Sequence, residues 1–146
     1  GWKFNEYELK GVPLRIAIGP KDLEKGTVEM ARRDTLTKEI VETTSVVARV
    51  EGLLEEIQDN LFTKAINYRT THTTKVSNYD EFKKVLNEKG GFISAHWDGT
   101  SETEEKIKKE TKATIRCIPL DTDNEAGTCI VTGKVSARKV LFAKAY

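Results

Sequence analysis

Apolar side chains recur at spacings of three and four from Val46 through Val50, Leu53, Leu54, Ile57, Leu61 and Ala65 to Tyr68. That period belongs to a helix with one apolar face, and it predicts a single long helix over 46–72 that frays in the polar run TTHTTK. Upstream, GWKFNEYELKG reads as one or two helical turns, with Asn5 as a cap and Gly11 as the stop. In VPLRIAIG, Val12, Leu14, Ile16 and Ile18 alternate with Pro13, Arg15 and Ala17, which predicts a strand ended by Gly19-Pro20. TVEMARRD and LTKEIVE predict two short strands joined as a hairpin around Asp34 and Thr35.

Beyond Lys75, SNYDEFKKVLNEKGG predicts a helix capped by Ser77 or Asn78, with Glu81 completing a capping box and Gly90-Gly91 ending it. FISAHW reads as a strand and DGT as a turn. SETEEKIKKETK reads as a helix with Ser101 and Glu104 in capping-box spacing. ATIRCIPL, GTCIVTG and RKVLFAKAY close the chain as three strands. Strands and helices mix throughout, so the fold class is α/β or α+β. A boundary near 75–78 separates a first region, 1–75, from a second, 76–146. The strands of the first region are few and need partners for a stable sheet, so its domain is expected to begin upstream of Gly1.

Composition narrows the classes. The 146 residues suffice for one ordinary domain or two small ones, and 38% hydrophobic against 32% charged residues suits a soluble protein. No apolar run approaches the ~20 residues of a membrane-spanning helix, and nothing resembles a signal peptide. Two cysteines, Cys117 and Cys129, without a secretory signal favour a reducing compartment and buried free thiols. Together these features predict a cytoplasmic protein without a membrane partner. Twenty-four basic residues against 23 acidic ones leave a net charge of +1. That balance argues against nonspecific binding to DNA or RNA, but not against recognition by a few aimed side chains.

Candidate chemistry is sparse. The phosphate-cradling loop, the G-x-S-x-G elbow and H-E-x-x-H are all absent from the sequence. Cys117 and His96 are conceivable as a nucleophile pair, although Cys117 between Ile115 and Ile118 reads better as a small buried residue. His96 and Asp98 in SAHWDGTSE suggest metal ligands, an acid/base pair, or plain loop residues. Near the start, Phe4 and Glu8 share a helical face, Arg15 follows on the strand and Asp22 just after it. An aromatic ring, two carboxylates and a guanidinium can read a purine by stacking and edge hydrogen bonds. Salt-bridged surface residues beside a core phenylalanine present the same pattern.

The string GWKFNEYELKGVPLRIAIGPKDLE resembles the anticodon-binding domain of prolyl-tRNA synthetases of the type also found in archaea and eukaryotes. HTTKVSNYDEFKK, AHWDGTSETEEKIKKETKATIRCIPL and KVLFAKAY resemble the extra C-terminal domain of that type. The resemblance implies part of a class II aminoacyl-tRNA synthetase anticodon-binding domain, a mixed sheet flanked by helices, followed by a small α/β domain. It implies proline tRNA as the partner, read at the two guanines shared by proline anticodons. Phe4, Glu8, Arg15 and Asp22 match the reading residues, and Lys38 a further one, with Arg33 its nearby substitute. ATP, magnesium and dimerisation would belong to a catalytic core upstream, so this chain alone is expected to be inactive.

The resemblance also implies that Tyr146 ends the chain with its carboxylate towards the catalytic domain. Many relatives bind a structural zinc through four cysteines in the second domain. Here Trp97 stands at the first of those positions, Ser101 or Glu102 at about the second, and Cys129 and Thr132 at the last two. A substitute set of His96, Asp98, Glu102 and Cys129 can be drawn, but no metal and no other cofactor is expected in this region. The competing class is a stand-alone interaction module that uses the same fold for RNA or protein partners.

Overall fold

The computed structural model describes residues 1–120 and 125–144. The chain divides into two units, Gly1–Ile66 and Asn67–Tyr146, and the dividing line falls within its long helix.

In the first unit, helix α1 (Trp2–Leu9) leads to strand β1 (Leu14–Ala17) and helix α2 (Pro20–Lys25). The hairpin β2 (Thr27–Arg32) and β3 (Lys38–Glu42) follows, then helix α3 (Val46–Thr71). The sheet is antiparallel in the order β1-β2-β3. Alternation along β2 turns Val28 and Met30 to one face, where both are buried with Leu53 of α3. Val46, Val50 and Leu53 fall at helical spacing and meet that face with Leu14 and Val41. Burial of each such side chain is worth about 1.5–3 kcal/mol. The opposite face carries Arg15, Ala31 and Lys38 in one cross-strand row.

Two expectations change here. Asn5 lies inside α1, whose N-cap is Gly1, because helical geometry starts at Trp2. The first strand is shorter than Val12–Ile18. Val12 N still donates to Tyr7 O, tying it to the end of α1, and Pro13 has no N–H to give a ladder.

In the second unit, β4 (Thr73–Lys75), α4 (Tyr79–Glu88), β5 (Phe92–His96), α5 (Ser101–Thr111) and β6 (Ala113–Cys117) precede the two-residue strands β7 (Gly127–Thr128) and β8 (Val135–Ser136). Strand β9 (Lys139–Lys144) ends the described chain. The main sheet runs β4-β5-β9-β6, with β4 parallel to β5 and the other neighbours antiparallel. Phe82 and Leu86, four apart on α4, pack with Ile93, Ile107, Val140 and Phe142. The Phe82 and Phe142 rings meet edge to face at 5.3 Å.

The run expected to fray contains β4, because its threonines find a parallel partner. Phe92 N donates to His72 O at 2.8 Å, and Gly91 (φ +79°) sits so close that a Cβ would lie 2.5 Å from the same oxygen. Asn78 caps α4 by accepting from Glu81 N, but Glu81 returns its carboxylate to Ser77 N instead of Asn78 N. The cap of α5 is Thr100, one residue before the expected Ser101, and it accepts from Thr103 N. GTCIVTG is strand only over Gly127–Thr128, since Ile130 to Thr132 turn. Cys117 is exposed, not buried, because a register shift between Ile115 and Cys117 turns its side chain outward. Cys129 is buried, and both thiols are free. Among the described residues no helix is long and apolar enough to cross a membrane.

Candidate nucleic-acid interface

Helix α1 places Phe4 and Glu8 one turn apart on the same side, and β1 presents Arg15 to them. The Arg15 guanidinium lies over the Phe4 ring, 3.8 Å from its centroid. Its Nη1 donates to Glu8 Oε1 at 3.2 Å. Arg15 Nε is buried and has no hydrogen-bond partner among the described residues, so the donors that can meet a ligand are those of the Nη atoms. Around them opens a groove of about 190 Å³ lined by Phe4, Tyr7, Glu8, Arg15, Arg33 and Lys38, among others. Ala31, between Arg15 and Lys38 in the cross-strand row, leaves room for that groove because its side chain is a single methyl.

The hairpin that forms one wall is fixed from beneath. Asp34, buried at the tip, accepts from Arg32 Nε and Nη2 at 3.0 and 2.8 Å and from Asn60 Nδ2 at 2.6 Å. The hydrogen bonds from Arg32 hold the Asp34 carboxyl well below the usual range; burial opposes them and Asn60 reinforces them. Arg32 also reaches Glu56 of α3 at 2.7 Å.

The residues singled out from the sequence divide accordingly. Phe4, Glu8, Arg15 and Lys38 converge on the groove, and Lys38 Nζ also pairs with Glu29 Oε1 at 3.0 Å. Asp22 is not among the groove's lining residues; its carboxylate accepts from Gly19 N at 2.8 Å and caps α2. Tyr146 lies outside the described residues. Tyr7, three residues after Phe4 on α1, and the Arg32–Asp34 pair were missed. The helical spacing points to Tyr7, whereas the pair is settled by Asn60, 26 residues away from Asp34.

In the second unit, SAHWDGTSE is a hydrogen-bonded clasp. Asp98 Oδ1 accepts from Thr100 Oγ1 at 2.9 Å, and Oδ2 from Thr103 and Thr132 Oγ1, each at 2.9 Å. Trp97 packs against the core and donates its Nε1 to Thr100 O. His96 Nδ1 meets Ser136 Oγ at 3.1 Å, and Ser136 gives its only proton to Arg138 O, so Nδ1 is the donor. The ring rests on Gly127, where a Cβ would overlap it. These residues do not fit a tetrahedral zinc: Trp97 and Thr132 supply no ligand, and Asp98 spends both oxygens on threonines. Among the described residues no three His, Cys, Asp or Glu side chains are grouped so as to hold an ion.

Residues 1–53 match the family model described as an anticodon binding domain, so the groove lies on a domain of the anticodon-binding class. Residues 79–146 match the one described as prolyl-tRNA synthetase, C-terminal, and the chain belongs to the prolyl-tRNA synthetase family, as part of its C-terminal region. Over all 146 residues it is 67% identical to a proline–tRNA ligase of Christiangramia forsetii and 66% to one of Flavobacterium johnsoniae. It is 63% identical to one of Porphyromonas gingivalis. The chain spans about 30% of the length of these curated relatives.

Proposed function

We propose that the groove reads the anticodon guanines of a proline tRNA, in a protein that attaches proline to that tRNA using ATP. The observation that carries this reading is the Arg15 guanidinium held between the Phe4 ring and the Glu8 carboxylate at the groove, with only Nη1 engaged in a side-chain hydrogen bond among the described residues. Guanine presents acceptors at O6 and N7 and donors at N1 and N2, and Arg15 beside Glu8 offers the opposite character to each. The free face of Phe4 stacks on a base, Lys38 donates to an acceptor atom or phosphate, and Asp22 contributes from the first turn of α2. A bidentate contact is worth about 1–3 kcal/mol of discrimination, and stacking about 1–3 kcal/mol per base.

Catalysis, ATP and magnesium, and the dimer contact belong in this reading to parts of the relatives outside the matched span. In this reading the protein works in the cytoplasm, and the second unit serves as a support region without a metal. The test is charging and binding of a proline tRNA transcript by the full-length protein with Arg15→Ala or Glu8→Ala. Each should weaken binding about tenfold and blunt discrimination against transcripts with altered anticodon guanines. Unchanged affinity with discrimination intact rules the reading out.

A further inference from the structure

We propose that Arg33 is a phosphate contact of the same groove, holding the RNA backbone beside the bases and reading no base itself. This rests on the anticodon reading above. Four cations line the groove, and three are already compensated. Arg15 pairs with Glu8, Arg32 with Asp34 and Glu56, and Lys38 with Glu29. The Arg33 guanidinium has no ion pair or hydrogen bond among the described residues, although its backbone is tied down, Arg33 N donating to Pro13 O at 2.9 Å. The neighbouring Asp34 is locked by Arg32 and Asn60, so the tip carrying the free cation is held in place.

Position separates its role from that of Arg15. Arg15 is 24% exposed and pressed on the aromatic ring, whereas Arg33 is exposed at the hairpin tip. Bases entering the groove leave their sugar–phosphate backbone outside, where an uncompensated planar guanidinium can donate two parallel hydrogen bonds to phosphate oxygens. Such a contact adds affinity without sequence information and shows as salt dependence.

The experiment compares full-length wild type with Arg33→Ala, Arg33→Lys and Arg15→Ala. Each is titrated with a proline tRNA transcript and with one whose anticodon guanines are replaced, across about 50–300 mM salt. Arg33→Ala should weaken both transcripts by the same factor and lower the slope of log affinity against log salt by about 0.7–1, with Arg33→Lys restoring the slope. An unchanged slope, or a loss confined to the guanine-bearing transcript, overturns the phosphate contact. If Arg15→Ala keeps full guanine discrimination while the Arg33→Ala slope still falls, the base-reading assignment fails and the phosphate contact stands.

Discussion

The guanidinium of Arg15 occupies one face of the Phe4 ring at 3.8 Å, leaving the other face of this 41% exposed residue open for stacking. Magnitudes separate the two roles of the ring. Losing an exposed cation–π contact costs about 0.5–1 kcal/mol, whereas losing a stacked base costs about 1–3 kcal/mol. Phe4→Ala should therefore weaken tRNA binding about tenfold or more, while Phe4→Tyr binds nearly as wild type. Equal affinity of Phe4→Ala and wild type in a filter-binding titration would leave the ring as a mere support for Arg15.

Asp34 is the buried pin of the hairpin, its side chain 1% exposed. Asp34→Ala leaves Arg32 and Asn60 without their shared acceptor and should cost about 2–4 kcal/mol in urea unfolding. The folded carboxyl is held below the unfolded value of about 4, so its contribution is complete above that pH and declines as the pH falls further. Stability of the wild type should drop on acidification below about pH 4, and Asp34→Asn should flatten that limb. An acid limb identical in the two proteins contradicts the pinning role.

Burial pushes the Asp98 carboxyl up, but the hydroxyls of Thr100, Thr132 and Thr103 outweigh it and leave it below its ordinary value. Asp98→Ala should cost about 1–3 kcal/mol, because three hydroxyls lose one acceptor together. Neither zinc nor a chelator should move the wild-type melting temperature. Stoichiometric zinc in protein purified without added metal refutes the metal-free clasp.

The two thiols should differ. Native protein is expected to react quickly with Ellman's reagent at one site, Cys117, and at Cys129 only after unfolding. Cys117→Ser should remove the fast phase. Two equally fast thiols in the native state would mean that Cys129 is not packed away.

Much of the fold was legible because its signals are local. The three- and four-residue spacing of Val46 to Tyr68 became α3, and the alternation of TVEMAR became β2. Caps were legible to within a residue: Thr100 displaced Ser101 because two hydroxyls compete at adjacent positions, and only Thr100 has the extended backbone of an N-cap. Strand β4 was hidden because three residues acquire strand geometry only from a partner that arrives 19 residues later.

By itself the sequence determined the elements, the residue types able to meet a guanine, and the family resemblance that joins Phe4, Glu8 and Arg15. Tertiary structure decided which of them share a groove, that Asp22 serves as a cap of α2, and that among the described residues Arg33 alone of the groove's cations has no ion pair. It also made SAHWDGTSE a clasp, through a bond from Thr132 to Asp98 across 34 residues. The physical reason is common to all of these. Periodicity records which face of an element is apolar, whereas the partner of a charge or hydroxyl is chosen by chain segments far away in sequence, once the apolar faces have packed.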